Sequence, residues 1–263
     1  LRKYAVIYKA TLMENMQYAL NIALGFISYF MMIFVFINLW DYIYSDSSQL
    51  IAGYNKEQMI WYIIITEMIW FGTRSATITR EVANDIKSGQ IAYGINKPYH
   101  YTFYILAKYF GEISIRLILY ISLAVIVGVS FVGGLSNFRI LYLPAIIVVL
   151  ILGIIINAIL KLSISLISFW IEDSNPFQWL YDKLILVIGT IFPVEIFPRW
   201  AQPIIRCTPI YVVVYGPAKL IVDFSMEMFF RVLATQLIYL GIAIVIMLFL
   251  YKKGVKKVNV NGG

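Results

Sequence analysis

The chain has 263 residues, of which 61% are hydrophobic, 16% aromatic and 13% charged, and its mean hydropathy is +0.81. Soluble domains carry about a quarter charged residues, and here the apolar residues gather in runs of about 20, enough to cross a hydrocarbon layer of about 30 Å. A soluble enzyme or binding module is thereby excluded in favour of a polytopic membrane protein.

The formal charge of +7 is accounted for by cytoplasmic loops, with no need for nucleic acid as a partner. One cysteine, Cys207, excludes an internal disulfide and a cysteine-based metal site. Residues 1–16 set Arg2, Lys3 and Lys9 against Tyr4, Ile7, Tyr8 and Leu12, the spacing of a helix lying in the membrane interface. A plain start to the first span is the alternative.

The first span is expected over 18–44, with Trp40, Tyr42 and Tyr44 as an interfacial belt. It is too long for a signal-peptide core and reads as a retained anchor. The polar loop SDSSQLIAGYNK leads to a second span over 58–73. A charged connector follows, then a third span over 104–132 that closes on Gly133 and Gly134. The fourth, 141–170, exceeds a perpendicular crossing and predicts tilt or projection beyond the bilayer. After EDSNP a short fifth span covers 177–191, and a sixth covers 228–250 before YKKGVKK closes the chain.

Between the last two spans lies FPVEIFPRWAQP. Pro193, Pro198 and Pro203 lack amide donors and break continuous helix. The 192–225 stretch is therefore expected to dip into the outer leaflet as short re-entrant helices, its backbone sheltered by protein or water. Pro193, Glu195, Pro198, Arg199 and Trp200 form a candidate outer gate, with Glu195 and Arg199 one turn apart and expected to pair. An ordinary outer loop with interfacial aromatics is the alternative.

Basic residues orient the chain. Arg2, Lys3, Lys9, Arg74, Arg80, Lys87, Lys97, Lys108 and the four lysines at 252–257 fall on one side of a six-span layout. The other side holds roughly half as many, which places both termini in the cytoplasm. No repeat or Gly/Ser linker divides the chain, so 1–263 reads as one all-α membrane domain.

No GxxxxGK[ST] loop is present, so ATP hydrolysis is not expected here. HExxH and GxSxG are missing, and the single histidine, His100, sits at a membrane boundary as an interfacial residue. No catalytic residue, metal or cofactor is assigned to the chain. Ionisable residues inside spans are costly and therefore candidates for function. Glu112 and Arg116, at i and i+4, form a structural salt bridge or contact substrate. Glu67 has no cation among its helical neighbours and is expected to face protein or a watery path. These three are the candidate translocation pathway.

In the connector, Ile78, Val82 and Ile86 recur every four residues, while Arg80, Glu81, Asn84, Asp85 and Lys87 take the remaining arc. That pattern is a short amphipathic helix over about 77–89, stopped by Gly89; a solvated loop helix is the alternative.

Here the residues carry a resemblance. DIKSGQIAYGINKP, a D-I-x-x-G run closed by Pro98, resembles the connector of six-span permeases of the type-2 ABC exporter family. FPVEIFPRW followed by TPIYVVVYGPAKL resembles that family's proline-aromatic segment and its P-x5-Y-x-P signature, and GYNKEQMIWY fits the opening of the second span. The likeness covers essentially the whole chain.

It implies a coupling helix, with Glu81, Asp85, Lys87, Ser88 and Gly89 seated in a groove of a separate ATPase subunit. Two such ATPases, carrying ATP and Mg, would rock this chain and a second permease half, identical or sister, between inward- and outward-facing states. The implied location is the plasma membrane, here the bacterial inner membrane. The aromatic-rich spans suit an amphiphile such as a drug, peptide or lipid. A self-sufficient secondary transporter or channel is the alternative and predicts inverted repeats, which are not visible. An intramembrane enzyme needs a nucleophile–base pair, which is not visible either.

Overall fold

The computed structural model describes residues 2–44, 49–135, 138–171 and 173–261. Residues 45–48 of the expected outer loop and Glu172 of the turn before the fifth span lie outside the described residues. The described chain is all-α, its one β-type contact being a bridge between Ile51 and Tyr54. Helix α1 spans Arg2–Gln17, α2 Ala19–Ile43 and α3 Lys56–Gly72. A π turn, Thr77–Glu81, runs into α4, Val82–Lys87, and α5 is Ile91–Ile95. Then come α6, Tyr101–Phe131, and α7, Leu143–Leu166. Helix α8, Asn175–Ile185, continues as a π segment, Leu186–Ile191. The short α9, Ala201–Arg206, precedes a π segment, Tyr211–Tyr215, that leads into α10, Gly216–Val222, and α11, Met226–Asn261, ends the fold.

Among the described residues four helices are long and apolar enough to cross a membrane: Leu24–Ile43, Tyr101–Phe131, Ile140–Phe169 and Met226–Lys257. Their outward faces carry Ile27, Met31, Ile118, Val125, Ile151, Ile238 and Val245 in the open. In water such a continuous apolar girdle would drive aggregation, whereas in lipid it is the solvated face. Helix α3 is the opposite case. From Met59 to Ile69 every residue is buried, because α2, α6 and α10 enclose it.

Local chemistry sets the helix ends. Asn55 accepts the Gln58 amide at 2.8 Å while Gln58 accepts the Asn55 amide at 3.1 Å, a capping box that starts α3 at Lys56. Gly89, at φ +75°, turns the chain out of α4 in the left-handed conformation that glycine adopts without a Cβ penalty. The π segment after α8 and the prolines beyond it end that helix at Ile191.

Helix α1 does not stand apart from the bundle. It packs along α6, where Gly111 lets the α1 backbone approach; a Cβ there would lie 2.7 Å from the Tyr8 carbonyl oxygen and 2.8 Å from Thr11 Cβ. Tyr8 Oη and Ser114 Oγ share a hydrogen bond at 3.0 Å across the same seam. Helices α7 and α11 lie side by side along much of their length, and Gln236 of α11 donates to the carbonyls of Val149 (2.8 Å) and Val212 (2.9 Å). A polar side chain that bonds two neighbouring backbones inside the bundle fixes the helices against sliding.

Candidate functional site

Three places gather the chemistry-bearing residues. At the end of the bundle that holds α1 and α4, a cavity of about 680 Å³ opens between α2, α3, α6, α7 and α8. Glu112 and Arg116 line it, together with Arg74, Arg80, Lys161 and Asp182. Glu112 and Arg116 approach to 3.8 Å, and the Ser75 hydroxyl donates to Glu112 at 2.5 Å. The Arg116 guanidinium also donates to the Arg74 carbonyl. Lys161 Nζ lies 2.8 Å from Asp182 Oδ1 and 5.5 Å from the Trp70 ring centroid. Gln178 locks α8 onto α7, donating to the Lys161 carbonyl at 2.6 Å and to Ser165 Oγ at 2.9 Å.

Glu67 does not line this cavity. It is fully buried in α3, and among the described residues neither carboxylate oxygen has a hydrogen-bond partner. The structure thus joins Glu112 and Arg116 and leaves Glu67 apart. Lys161 of α7 and Asp182 of α8 meet across two helices. No spacing rule links positions on different elements, so their pairing carried no sequence signal.

The second place is the connector. Ile78 and Val82 are fully buried, and Ile86 partly so, in an apolar cluster with α6, α7 and α11, so this face packs on the bundle. Ser165 Oγ donates to the Ile78 carbonyl at 2.6 Å, pinning the π turn to α7. The acids are not free charges. Lys108 of α6 donates to both oxygens of Glu81, at 2.6 and 2.7 Å, and the Tyr101 hydroxyl donates to Asp85 at 2.7 Å. The exposed residues of this connector include Asn84, Lys87, Ser88, Gly89, Gln90 and Tyr93. Tyr93, which no sequence pattern singles out, is 78% exposed. It borders a groove of about 340 Å³ shared with Glu81, Asp85 and Lys97. Beside this groove, burial of His100 lowers its pKa and favours the neutral ring.

The third place is the opposite end of the bundle. Pro193 is buried, Pro198 and Arg199 are exposed, and Trp200 is 74% exposed. The expected pair of Glu195 with Arg199 is not formed. Glu195 Oε2 accepts from the Tyr54 hydroxyl at 3.1 Å, and Oε1 accepts from the Tyr215 hydroxyl. Both rings are buried and brought to Glu195 by the fold, Tyr54 from the turn before α3 and Tyr215 from the π segment before α10. Two buried hydroxyl donors offer better geometry than an exposed guanidinium one turn away, which has water as an alternative partner. Lys219 Nζ sits 4.1 Å from the Tyr54 ring centroid and 3.0 Å from Asp223 Oδ2. Gln202 closes the short loop by donating to the Phe197 carbonyl at 2.9 Å.

Among the described residues no group of three His, Cys, Asp or Glu side chains is placed to hold a metal ion. The family model described as ABC-2 family transporter protein matches residues 8–262. No curated protein matches the chain.

Proposed function

The chain belongs to the ABC-2 family of transporter proteins, and it is a multi-pass membrane permease of an ABC transporter; from that premise we propose that it exports an amphiphile, powered by a separate ATPase. In this reading the bilayer is crossed six times, by α2, α3, α6, α7, α8 with its π extension, and α11. Both termini, α1, α4 and α5 lie on the cytoplasmic side of a bacterial inner membrane. Two copies of the permease, or this chain and a sister, combine with two ATPases that carry ATP and Mg.

The single observation that carries the reading is the connector. Its apolar residues pack on the bundle, while Lys87, Ser88, Gly89 and Gln90 at the end of α4, and Tyr93 on α5, are exposed. A rigidly pinned, polar-tipped helix at the membrane boundary suits a socket on another protein. The Glu195–Tyr54–Tyr215 cluster supplies the outer closure of the same machine, because it ties the turn before α3 to the segment between α8 and α10.

The test is reconstitution with the ATPase in vesicles. Tyr93→Ala combined with Lys87→Glu alters exposed side chains that, among the described residues, make no hydrogen bond or ion pair, so folding and insertion are expected to be retained. Loss of ATPase binding and of ATP-driven substrate movement is the expected result. Unchanged binding and transport would remove the connector from the coupling role. Substrate movement toward the cytoplasm on adding ATP would reverse the proposed direction.

A further inference from the structure

The cavity beside α3 has an uneven charge. Four cations, Arg74, Arg80, Arg116 and Lys161, line it with two carboxylates, Glu112 and Asp182. Both acids are taken, Glu112 by Arg116 and Asp182 by Lys161. Among the described residues Arg74 and Arg80 form no ion pair, and both are exposed where they line the cavity. The wall also carries aromatic rings. Phe71 lies one turn before Arg74 on the same chain direction, Tyr120 one turn beyond Arg116, and both line the cavity together with Trp179. The cavity wall therefore combines two unpaired arginines, two ion pairs and three aromatic rings, of which Trp179 is 62% exposed.

We propose that this cavity binds an amphiphile with an anionic headgroup, the headgroup held by Arg74 and Arg80 and the apolar body laid along Phe71, Tyr120 and Trp179. The inference rests on the transport reading for its purpose, and adds to it the chemical class of the cargo. A guanidinium pair recognises phosphate, sulfonate or carboxylate through directed donors. A cationic amphiphile would be repelled by the two unbalanced arginines. The arrangement also matches how such a molecule already lies in a leaflet, with its headgroup at the boundary and its tail toward the middle. One headgroup chemistry belongs to two sources, a membrane lipid and a water-soluble aromatic acid.

Binding is measured on the detergent-purified full chain without any ATPase, by quenching of tryptophan fluorescence. The probes are lysophosphatidylglycerol, lysophosphatidylcholine of the same acyl chain, an alkyltrimethylammonium of matched length, and a naphthalene sulfonate. The anionic probe is expected to bind about tenfold tighter than the cationic one, the scale of two partly exposed charge contacts. Arg74→Gln with Arg80→Gln removes that preference, while Lys252→Gln with Lys253→Gln, which deletes equal charge far from the cavity, keeps it. Trp179→Ala weakens every amphiphile alike. Preference for the lysolipid assigns the cargo to lipid, and preference for the sulfonate assigns it to a soluble organic acid. Equal affinity for anion and cation overturns the proposal, as does equal loss in the two double variants. Failure of ATP-driven export with this binding intact would strike the transport reading alone, and ATP-driven export of the cation would strike the anionic assignment alone.

Discussion

Replacing Asp182 with Asn leaves Lys161 as a cation without its carboxylate. Lys161 is 7% exposed, and its ammonium sits 2.8 Å from Asp182 Oδ1. The remaining attraction is the Trp70 ring at 5.5 Å, a cation–π contact of about 1 kcal/mol. Breaking a buried pair by removing one partner costs about 3–5 kcal/mol. The Asp182 side chain keeps 29% exposure and the pair borders the cavity, so water reaches the orphaned charge. The lower end, about 3 kcal/mol, is therefore expected, equivalent to a fall in melting temperature of about 6–12 °C for a chain of this size. The assay is heating in detergent, followed by the monodisperse peak on size exclusion. Lys161→Met with Asp182→Leu removes both charges and is expected to recover stability to within about 1 kcal/mol of the parent, because desolvation offsets most of the pair's attraction. A melting temperature for the Asn variant within about 2 °C of the parent, or a double variant no better than the single, refutes this account.

Tyr54→Phe and Tyr215→Phe together strip Glu195 of both donors, and export is expected to become leaky with ATPase activity less dependent on substrate; tight coupling in that variant would remove the cluster from outer closure. Gly111→Leu drives α1 off α6 at Tyr8 and Thr11, and its measure is increased protease cleavage between α1 and α2 while the bundle stays monodisperse. Burial depresses the His100 pKa below 6.5, so the unfolded chain takes up the proton first and stability is lost as pH falls below that value. The melting temperature should then decline from pH about 8 to about 5.5, less steeply in His100→Gln, and equal slopes would contradict it. Lys108→Glu breaks the tie to Glu81 and lowers coupling, and Glu81→Lys in the same chain is expected to restore it by reversing the pair.

What the sequence made legible was whatever depends on local chain chemistry. The amphipathic spacing of Ile78, Val82 and Ile86 located the connector helix, and Gly89 located its end. The helices fall close to the apolar runs because length and hydropathy are properties of a single segment. The partners of the charges are different. Glu195 was paired with Arg199 by an i, i+4 rule that holds on a regular helix, but Val194–Ile196 is a single 3-10 turn followed by extended Phe197. The pairing distance therefore has no meaning there. Tyr54 reaches Glu195 from 141 positions away, and no one-dimensional pattern encodes that approach. Glu67 has no helical counter-ion in the sequence, and in the fold it faces protein, its carboxylate without a hydrogen-bond partner among the described residues.

The two ties between the connector and α6 have a mechanical meaning. Glu81 is held by Lys108 and Asp85 by Tyr101, so α4 and the first turns of α6 form one stiff corner. Helix α6 runs from that corner for 31 residues, about 46 Å at 1.5 Å per residue. Its far end is seated on Trp61, whose ring fills the space a Cβ on Gly128 would need and whose indole donates to the Gly133 carbonyl at 3.1 Å. A rod of that length tilting by about 10° about its midpoint sweeps its far tip through about 4 Å, close to the width of an aromatic ring. A shove delivered at Lys87 would thus arrive at Trp61 as leverage, with no need for a relay of side-chain rearrangements across the bilayer.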